Sequence, residues 1–252
     1  MPLCRVGVDC RVAAGSGDDV IGALGGDDVV CAGRGDDRIV IGAGDDSAIG
    51  ERGRDVISGG PGDDGLDGGA GADRVSGGAG ADLPSGGPGD DVVAGGAGFE
   101  WMMSGGPGDD LMTGGAGGDH LHGGRGDDRL EGGPGMDGFL GEGGDDTLIG
   151  GTGHDHATYV TARRGIRASL AKGRARGHGR DRLRGIEALD GSGFADRLVG
   201  SRGMDEIDGG FGADRVGGGG GMDTLRGGAG RDSVVGGAGS DFCADAEVEK
   251  GC

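Results

Sequence analysis

The sequence predicts an all-β fold: a right-handed parallel β-solenoid, a flattened roll in which two short strands complete each 18-residue turn. Three observations carry the prediction. Glycine makes up 72 of the 252 residues, about four times its usual share of roughly 7%. The glycine clusters keep a period of nine, and the acid closing each cluster falls at Asp19, Asp28, Asp37, Asp46, Asp55, Asp64, Asp73, Asp82, Asp91 and Glu100. After one extra residue, Ser104, the series resumes at Asp110, Asp119, Asp128, Asp137, Asp146 and Asp155. A second run holds Asp196, Asp205, Asp214, Asp223, Asp232 and Asp241. Finally, two places beyond the acid stands a single apolar residue, as at Ile21, Val30, Ile39, Ile57, Leu66, Val75, Val93, Leu121, Leu130, Phe139, Leu148, Leu198, Ile207, Val216, Leu225 and Val234.

Each element follows from this pattern. One apolar side chain between two mostly polar ones describes a three-residue strand with one inward residue. Nine residues are too few for a helical crossover, so every unit is a strand plus a tight turn, and two units close one turn of a parallel coil. The glycines suit turns in which backbone packs on backbone, because they have no Cβ to clash. A glycine period of three would instead mean collagen, and glycine without a period would mean disorder. The formal charge is −20, with 33% hydrophobic and 3% aromatic residues. No stretch approaches the roughly 20 apolar residues of a membrane-spanning helix, and so negative a chain repels phosphates, which argues against a nucleic-acid partner.

The best-preserved units share one text: Gly59-Gly60-Pro61-Gly62-Asp63-Asp64-Gly65-Leu66-Asp67 and Gly123-Gly124-Arg125-Gly126-Asp127-Asp128-Arg129-Leu130-Glu131 are examples. Written generally it is G-G-x-G-x-D-x-U-x with U apolar. This resembles the RTX, or hemolysin-type, calcium-binding nonapeptide repeat, and 22 phased copies make the resemblance specific. It implies a parallel β-roll with Ca²⁺ between adjacent loops, held by backbone carbonyls of both and by the sixth-position aspartate. The matching aspartates are Asp37, Asp46, Asp55, Asp64, Asp73, Asp82, Asp91, Asp110, Asp119, Asp128, Asp137, Asp146, Asp155, Asp205, Asp214, Asp223, Asp232 and Asp241. Matching carbonyls include those of Gly60, Gly62, Gly69, Gly71, Gly78, Gly80, Gly124, Gly126, Gly228 and Gly230. The residues agree with that chemistry. Loops 18 residues apart, such as those of Asp55 and Asp73 or Asp64 and Asp82, offer about six hard oxygen ligands and no nitrogen or sulfur, which favours Ca²⁺ over transition metals. Up to 18 such slots exist in the two runs. A core one side chain wide is thin, and stacked acids repel one another. The expectation is therefore that the metal-free chain is largely disordered and that binding calcium is folding.

The expected organisation is an N-terminal cap over residues 1–13, a first repeat block over 14–157 and a basic spacer over 158–190. A second block covers 191–244 and a C-terminal cap 245–252. The spacer carries Arg163, Arg164, Arg167, Lys172, Arg174, Arg176, Arg180, Arg182 and Arg184 against Asp181, Glu187 and Asp190. It resembles the spacers found between RTX blocks. Two readings are open: two longer strands, near Ile166–Leu170 and Gly185–Leu189, joined by a basic loop, or a basic surface for docking or for a polyanion. Other departures mark weak points. Glu100 replaces aspartate beside the apolar run Phe99–Met103, which predicts a weakened or missing calcium site, with an exposed Trp101 patch as the alternative reading. Pro84 takes a core position although it cannot donate to a strand ladder, Ala48 and Ala157 underfill theirs, and the first two units lack the leading glycine pair.

His120 with His122, and His154 with His156, lack a third ligand at the spacing of a zinc site. No serine has the histidine and acid company of a hydrolase, so catalysis is not expected. Cys243 and Cys252 are expected to clip the C-terminal cap, and Cys31 to pair with Cys4 or Cys10. Such bonds and extracellular calcium both suit an oxidising compartment. Residues 1–11 contain no apolar signal core, so export through a C-terminal signal, as type I secretion of RTX proteins implies, is one expectation and a truncated start the other. The 22 Arg against 2 Lys hint at a GC-rich bacterial genome. Three roles compete: a stand-alone secreted or cell-surface calcium-binding protein, the accessory module of a larger exported enzyme or toxin, and an ice-binding or adhesive solenoid. Only six threonines in no regular row disfavour the last.

Overall fold

A computed structural model describes the chain from Arg11 to Cys252. Successive strands alternate between two sheets, of 13 and 15 strands, so the chain winds as a parallel β-solenoid. The register steps by one coil: Ile57 lies beside Val75, and Val75 beside Val93. Past the extra residue Ser104 the step is 19, with Val93 beside Met112, and it then returns to 18, with Met112 beside Leu130. Strands of three to six residues alternate exposed and buried positions; Val92–Ala97 and His120–Arg125 are typical.

The inward residue of each unit is removed from water: Ile39, Leu121, Leu130 and Leu225 are fully buried. The core is nevertheless two clusters. One runs from Val12 to Val75, the other from Val93 to Val234, and the gap between them falls at Pro84. Leu83–Ser85 pairs normally with Gly65–Asp67 on one side. On the other side its only register pair with Met103–Pro107 is Ser85 with Ser104. A proline without N–H, next to a one-residue insertion, accounts for the broken seam.

The spacer departs from the first of its two expected readings. Instead of two longer strands and a basic loop, it folds back on itself within the 15-stranded sheet. Arg167–Ser169 lies beside Arg197–Val199, a single 3₁₀ turn at Leu170–Lys172 reverses the chain with Gly173 left-handed at φ 58°, and Arg174–Arg176 returns antiparallel. Arg180–Arg184 then runs antiparallel to Arg174–Arg176 and parallel to Thr147–Thr152. Arg167, Arg174, Arg176, Arg180, Arg182 and Arg184 thus sit on strands, with Lys172 in the turn. Buried Tyr159, Ala162 and Ile166 fill the coil beneath them.

At the C-terminal end Val248–Lys250 adds a last parallel strand on Ser233–Ala238. Cys243 and Cys252 form a disulfide with Cα atoms 5.8 Å apart. The pairing expected for Cys31 is corrected: Cys31 is a free, half-buried thiol. It sits within the sheet, with Ala13 beside it on one flank and Ile49 on the other, so neither adjoining strand offers it a sulfur. Cys4 and Cys10, with most of the expected N-terminal cap, lie outside the described residues. Among those residues no helix is long and apolar enough to cross a membrane.

Candidate metal sites along the turn edges

The glycine text is dictated by turns stacking on turns. In the unit at 59–67, Gly60 and Gly62 have φ of 135° and 139°. A Cβ on either would strike the carbonyl oxygen one coil earlier, that of Gly42 or Gly44. A Cβ on Gly59 would strike the Asp64 carboxylate. Glycine at these places lets the backbone of each turn lie directly against the next.

This stacking draws the sixth-position acids inward. Each accepts a hydrogen bond at Oδ1 from the backbone N–H of the acid one coil before it. On one edge the bonds run Asp19 to Asp37 at 2.7 Å, Asp37 to Asp55 at 2.8 Å, Asp55 to Asp73 and Asp73 to Asp91 at 2.7 Å, Asp91 to Asp110 and Asp110 to Asp128 at 2.9 Å, and Asp128 to Asp146 at 3.0 Å. On the other they include Asp28 to Asp46, Asp46 to Asp64, Asp64 to Asp82, Asp119 to Asp137 and Asp137 to Asp155, between 2.6 and 3.0 Å. The second block repeats the device, with Asp214, Asp232, Asp223 and Asp241 accepting from Asp196, Asp214, Asp205 and Asp223. Asp205 differs, since its carboxylate is turned onto the Ser201 N–H and hydroxyl.

The second oxygen of these acids is what matters chemically. Oδ2 is buried and has no hydrogen-bond partner at Asp37, Asp46, Asp55, Asp64, Asp73, Asp82, Asp91, Asp110, Asp119, Asp128, Asp137, Asp155, Asp214, Asp223, Asp232 and Asp241. A buried carboxylate left unpaired is expensive unless it is protonated or meets a cation. Burial accordingly raises the Asp55, Asp64, Asp91, Asp110, Asp128, Asp137 and Asp214 carboxyls to about 6, and Asp146 to about 8. Carbonyls crowd the same space: the position a Cβ of Gly68 would take lies 2.6 Å from the Gly86 oxygen and 2.8 Å from Asp73 Oδ2. The carbonyls of Gly60, Gly62, Gly69, Gly71, Gly78, Gly80 and Gly126 face the backbone one coil on. Gly124 lies in register with Glu142 one coil on, and Gly230 with Gly212; Gly228 packs on the Gly210 carbonyl. The donor set is oxygen throughout, which fits a hard cation such as Ca²⁺. Among the described residues no group of three or more His, Cys, Asp or Glu forms a side-chain metal cluster, so carbonyls must complete any such site.

The fifth-position acids form a second, exposed ladder in the opposite sense. Asp18, Asp27, Asp45 and Asp63 accept from the N–H of the residue one coil after them, as in Asp36 to Asp18 and Ala81 to Asp63. The histidines take local partners instead: His156 is 3.0 Å from Asp190, and His120 packs edge-on to Phe99, whose ring also meets Trp101 edge-on at 4.7 Å.

Three ladder members were not assigned as site residues from the sequence. Asp181 accepts from the Asp146 N–H and, at 2.9 Å, from the Tyr159 hydroxyl. Glu187 accepts from the Asp155 N–H, and Asp196 from the Ile166 N–H. The signal for Asp181 was in the text, because Gly177-His178-Gly179-Arg180-Asp181-Arg182-Leu183 is G-x-G-x-D-x-U, one residue out of phase with the run before it.

Residues 11–39, 40–75, 67–99, 104–138, 139–157, 190–221 and 217–244 match the RTX calcium-binding nonapeptide repeat. The chain belongs to that family. No curated protein matches it. Between the first and last of them, the RTX matches omit residues 100–103 and 158–189, which are the stretch just before the extra residue Ser104 and the stretch that holds the folded-back strands. Calcium binding by a structural, repeat-built solenoid is what membership of the family carries.

Proposed function

We propose that this RTX chain is a secreted calcium-binding solenoid whose folding is driven by Ca²⁺ held between turns 18 residues apart. The observation that carries the reading is the column of buried aspartate oxygens without partners. The sixth-position aspartates from Asp37 to Asp155, with Asp214, Asp223, Asp232 and Asp241, would each direct Oδ2 at the ion, while Oδ1 holds the neighbouring coil through its N–H; Asp205 would have to leave Ser201 to do the same. Carbonyls of the glycine turns, such as Gly60, Gly62, Gly78 and Gly80, would supply the remaining oxygens. Bound calcium supplies positive charge that cancels the stacked carboxylates and joins adjacent coils. Without it, the thin core must bear the burial of unpaired acid, and the chain unfolds. The working place is outside the cell, where calcium is abundant enough for sites of modest affinity and a terminal disulfide persists. The chain acts as a structural protein in this reading, with no catalytic step.

Calorimetric titration of calcium into chelator-treated protein tests the assignment. The expected result is many equivalents bound in one cooperative transition, with Asp73→Asn and Asp128→Asn each lowering the number bound. Wild-type stoichiometry in both variants would overturn the residue assignment, and absence of heat would overturn the function.

A further inference from the structure

The folded-back spacer assembles a feature that the calcium reading leaves unused. Five arginines stand directly opposite one another on five adjacent strands: Arg180 beside Arg176, Arg176 beside Arg167, Arg167 beside Arg197, and Arg197 beside Arg215. All five are exposed, and each neighbours a buried residue such as Ala168, Ala175 or Leu198, so they share the outer face of the sheet. At a strand spacing of about 4.8 Å the row extends for about 19 Å. Arg167, Arg176, Arg197 and Arg215, with Lys172 and Arg174, line an open groove of about 1090 Å³.

Like charges directly opposite across strands destabilise a sheet, and here nothing nearby relieves them. Among the described residues none of the five forms an ion pair. The three acids of the spacer are engaged elsewhere: Asp181 and Glu187 turn inward to the N–H groups of Asp146 and Asp155, and Asp190 meets His156. Asp196, the one acid lining the groove, is buried and accepts from Ile166 and Ser192. In a chain of net charge −20, five arginines without an ion pair thus stand in one line.

We infer that this arginine row is a binding site for an extended anionic polysaccharide, one bearing carboxylate or sulfate groups along its sugars. Guanidinium groups hold both kinds of anion through paired N–H donors. A pyranose chain laid across the strands presents acid groups at about the repeat of one sugar ring, which is comparable with the strand spacing. A single-stranded nucleic acid is a poorer fit, because the groove has no aromatic side chain on which bases could stack. Duplex DNA is poorer still, because the spacer presents no helix for the major groove.

The test uses the full chain in excess calcium. Dextran sulfate and polygalacturonate oligosaccharides, which separate sulfate from carboxylate recognition, are titrated beside neutral dextran of equal length. Comparison is made with the pair Arg167→Glu/Arg197→Glu and with Arg74→Glu, an exposed arginine of the same sheet outside the row. The expected result is binding of at least one acidic polymer by wild type and Arg74→Glu, roughly tenfold or more weaker in the pair, and no binding of neutral dextran. Far-UV circular dichroism verifies the fold, and Arg167→Gln/Arg197→Gln replaces the glutamate pair if that pair loses its β signal. Equal binding by the pair and wild type overturns the inference, because calcium bridging to the acidic edges would then be responsible. So does wild type that binds neither polymer, or wild type that binds neutral dextran equally well. Self-association by sedimentation that the pair abolishes, with no polysaccharide bound, overturns it in favour of a second copy's acidic edge.

Discussion

The turns between Gly50 and Gly98 and the rung that follows them differ by few atoms, yet they solve the same problem with different success. In the regular turns each acid uses one oxygen to tie the preceding coil and leaves the other buried without a partner. At the next rung Glu100 occupies the same buried place, and its N–H still donates to Asp119 at 3.1 Å. Its extra methylene carries the carboxylate past the tying position, so that both oxygens are buried without partners. Among the described residues no bond joins the Asp82 N–H to Glu100, and the core seam breaks at Pro84 in the same coil. Burial and the neighbouring Asp119 raise the Glu100 carboxyl to about 8. The ladder is therefore a backbone device that tolerates one bad rung, whereas the proposed metal slot would depend on side-chain length.

Chain breaks in that device should rank accordingly. Asp73→Ala removes a tie and a proposed ligand from a regular turn, leaving the Asp55 N–H unsatisfied. The loss should be about 1–3 kcal/mol before any calcium is lost, with a clear fall in melting temperature in calcium. Glu100→Ala should change the same melting temperature much less, or raise it. Equal losses would mean that the irregular rung also carries a full site.

Titration with pH separates the same two regions. In metal-free protein a carboxyl raised from 3.8 to about 6, as at Asp64 and Asp91, binds more protons folded than unfolded. Its contribution is present below about pH 4 and is lost as pH rises through about 6. Glu100, raised from 4.5 to about 8, extends that loss to higher pH. Metal-free protein should thus retain most β signal near pH 4 and lose it towards pH 8, and Glu100→Gln should remove the upper part of the transition. Calcium must displace these protons, so its affinity should fall below about pH 6. A metal-free fold that is more stable at pH 8 than at pH 4 would contradict the burial argument.

Two smaller changes should repair the structure. Pro84→Val restores an N–H and an apolar side chain where the two core clusters part, and should stabilise by about 1–2 kcal/mol, seen as a rise in melting temperature. Glu51 stands at the second turn position with φ 78°, where its regular counterpart Gly60 is a glycine. Glu51→Gly should gain roughly 0.5–1 kcal/mol, whereas Gly60→Ala should lose more than that.

Much of this was legible in the sequence. The period of nine placed the strands, the inward residues from Ile21 to Val234 and the stacked acids, because each position answers one steric demand of a turn packed on a turn. What escaped lies where the period slips. Asp181 and Glu187 rejoin the two edges 35 and 32 residues after Asp146 and Asp155, steps that no multiple of nine predicts. The antiparallel return of Arg174–Arg176 depends on a left-handed Gly173, one glycine among 72. Cysteine spacing alone could not reveal that Cys31 faces alanine and isoleucine across its strands.

The direct measurement of the central proposal is reversible metal removal, followed together by far-UV circular dichroism and hydrodynamic radius. EDTA at neutral pH should abolish the β signal and expand the chain well beyond its folded radius, and added calcium should restore both in one cooperative step. A chain that stays compact and β-rich in EDTA and takes up no calcium on refilling would contradict the account.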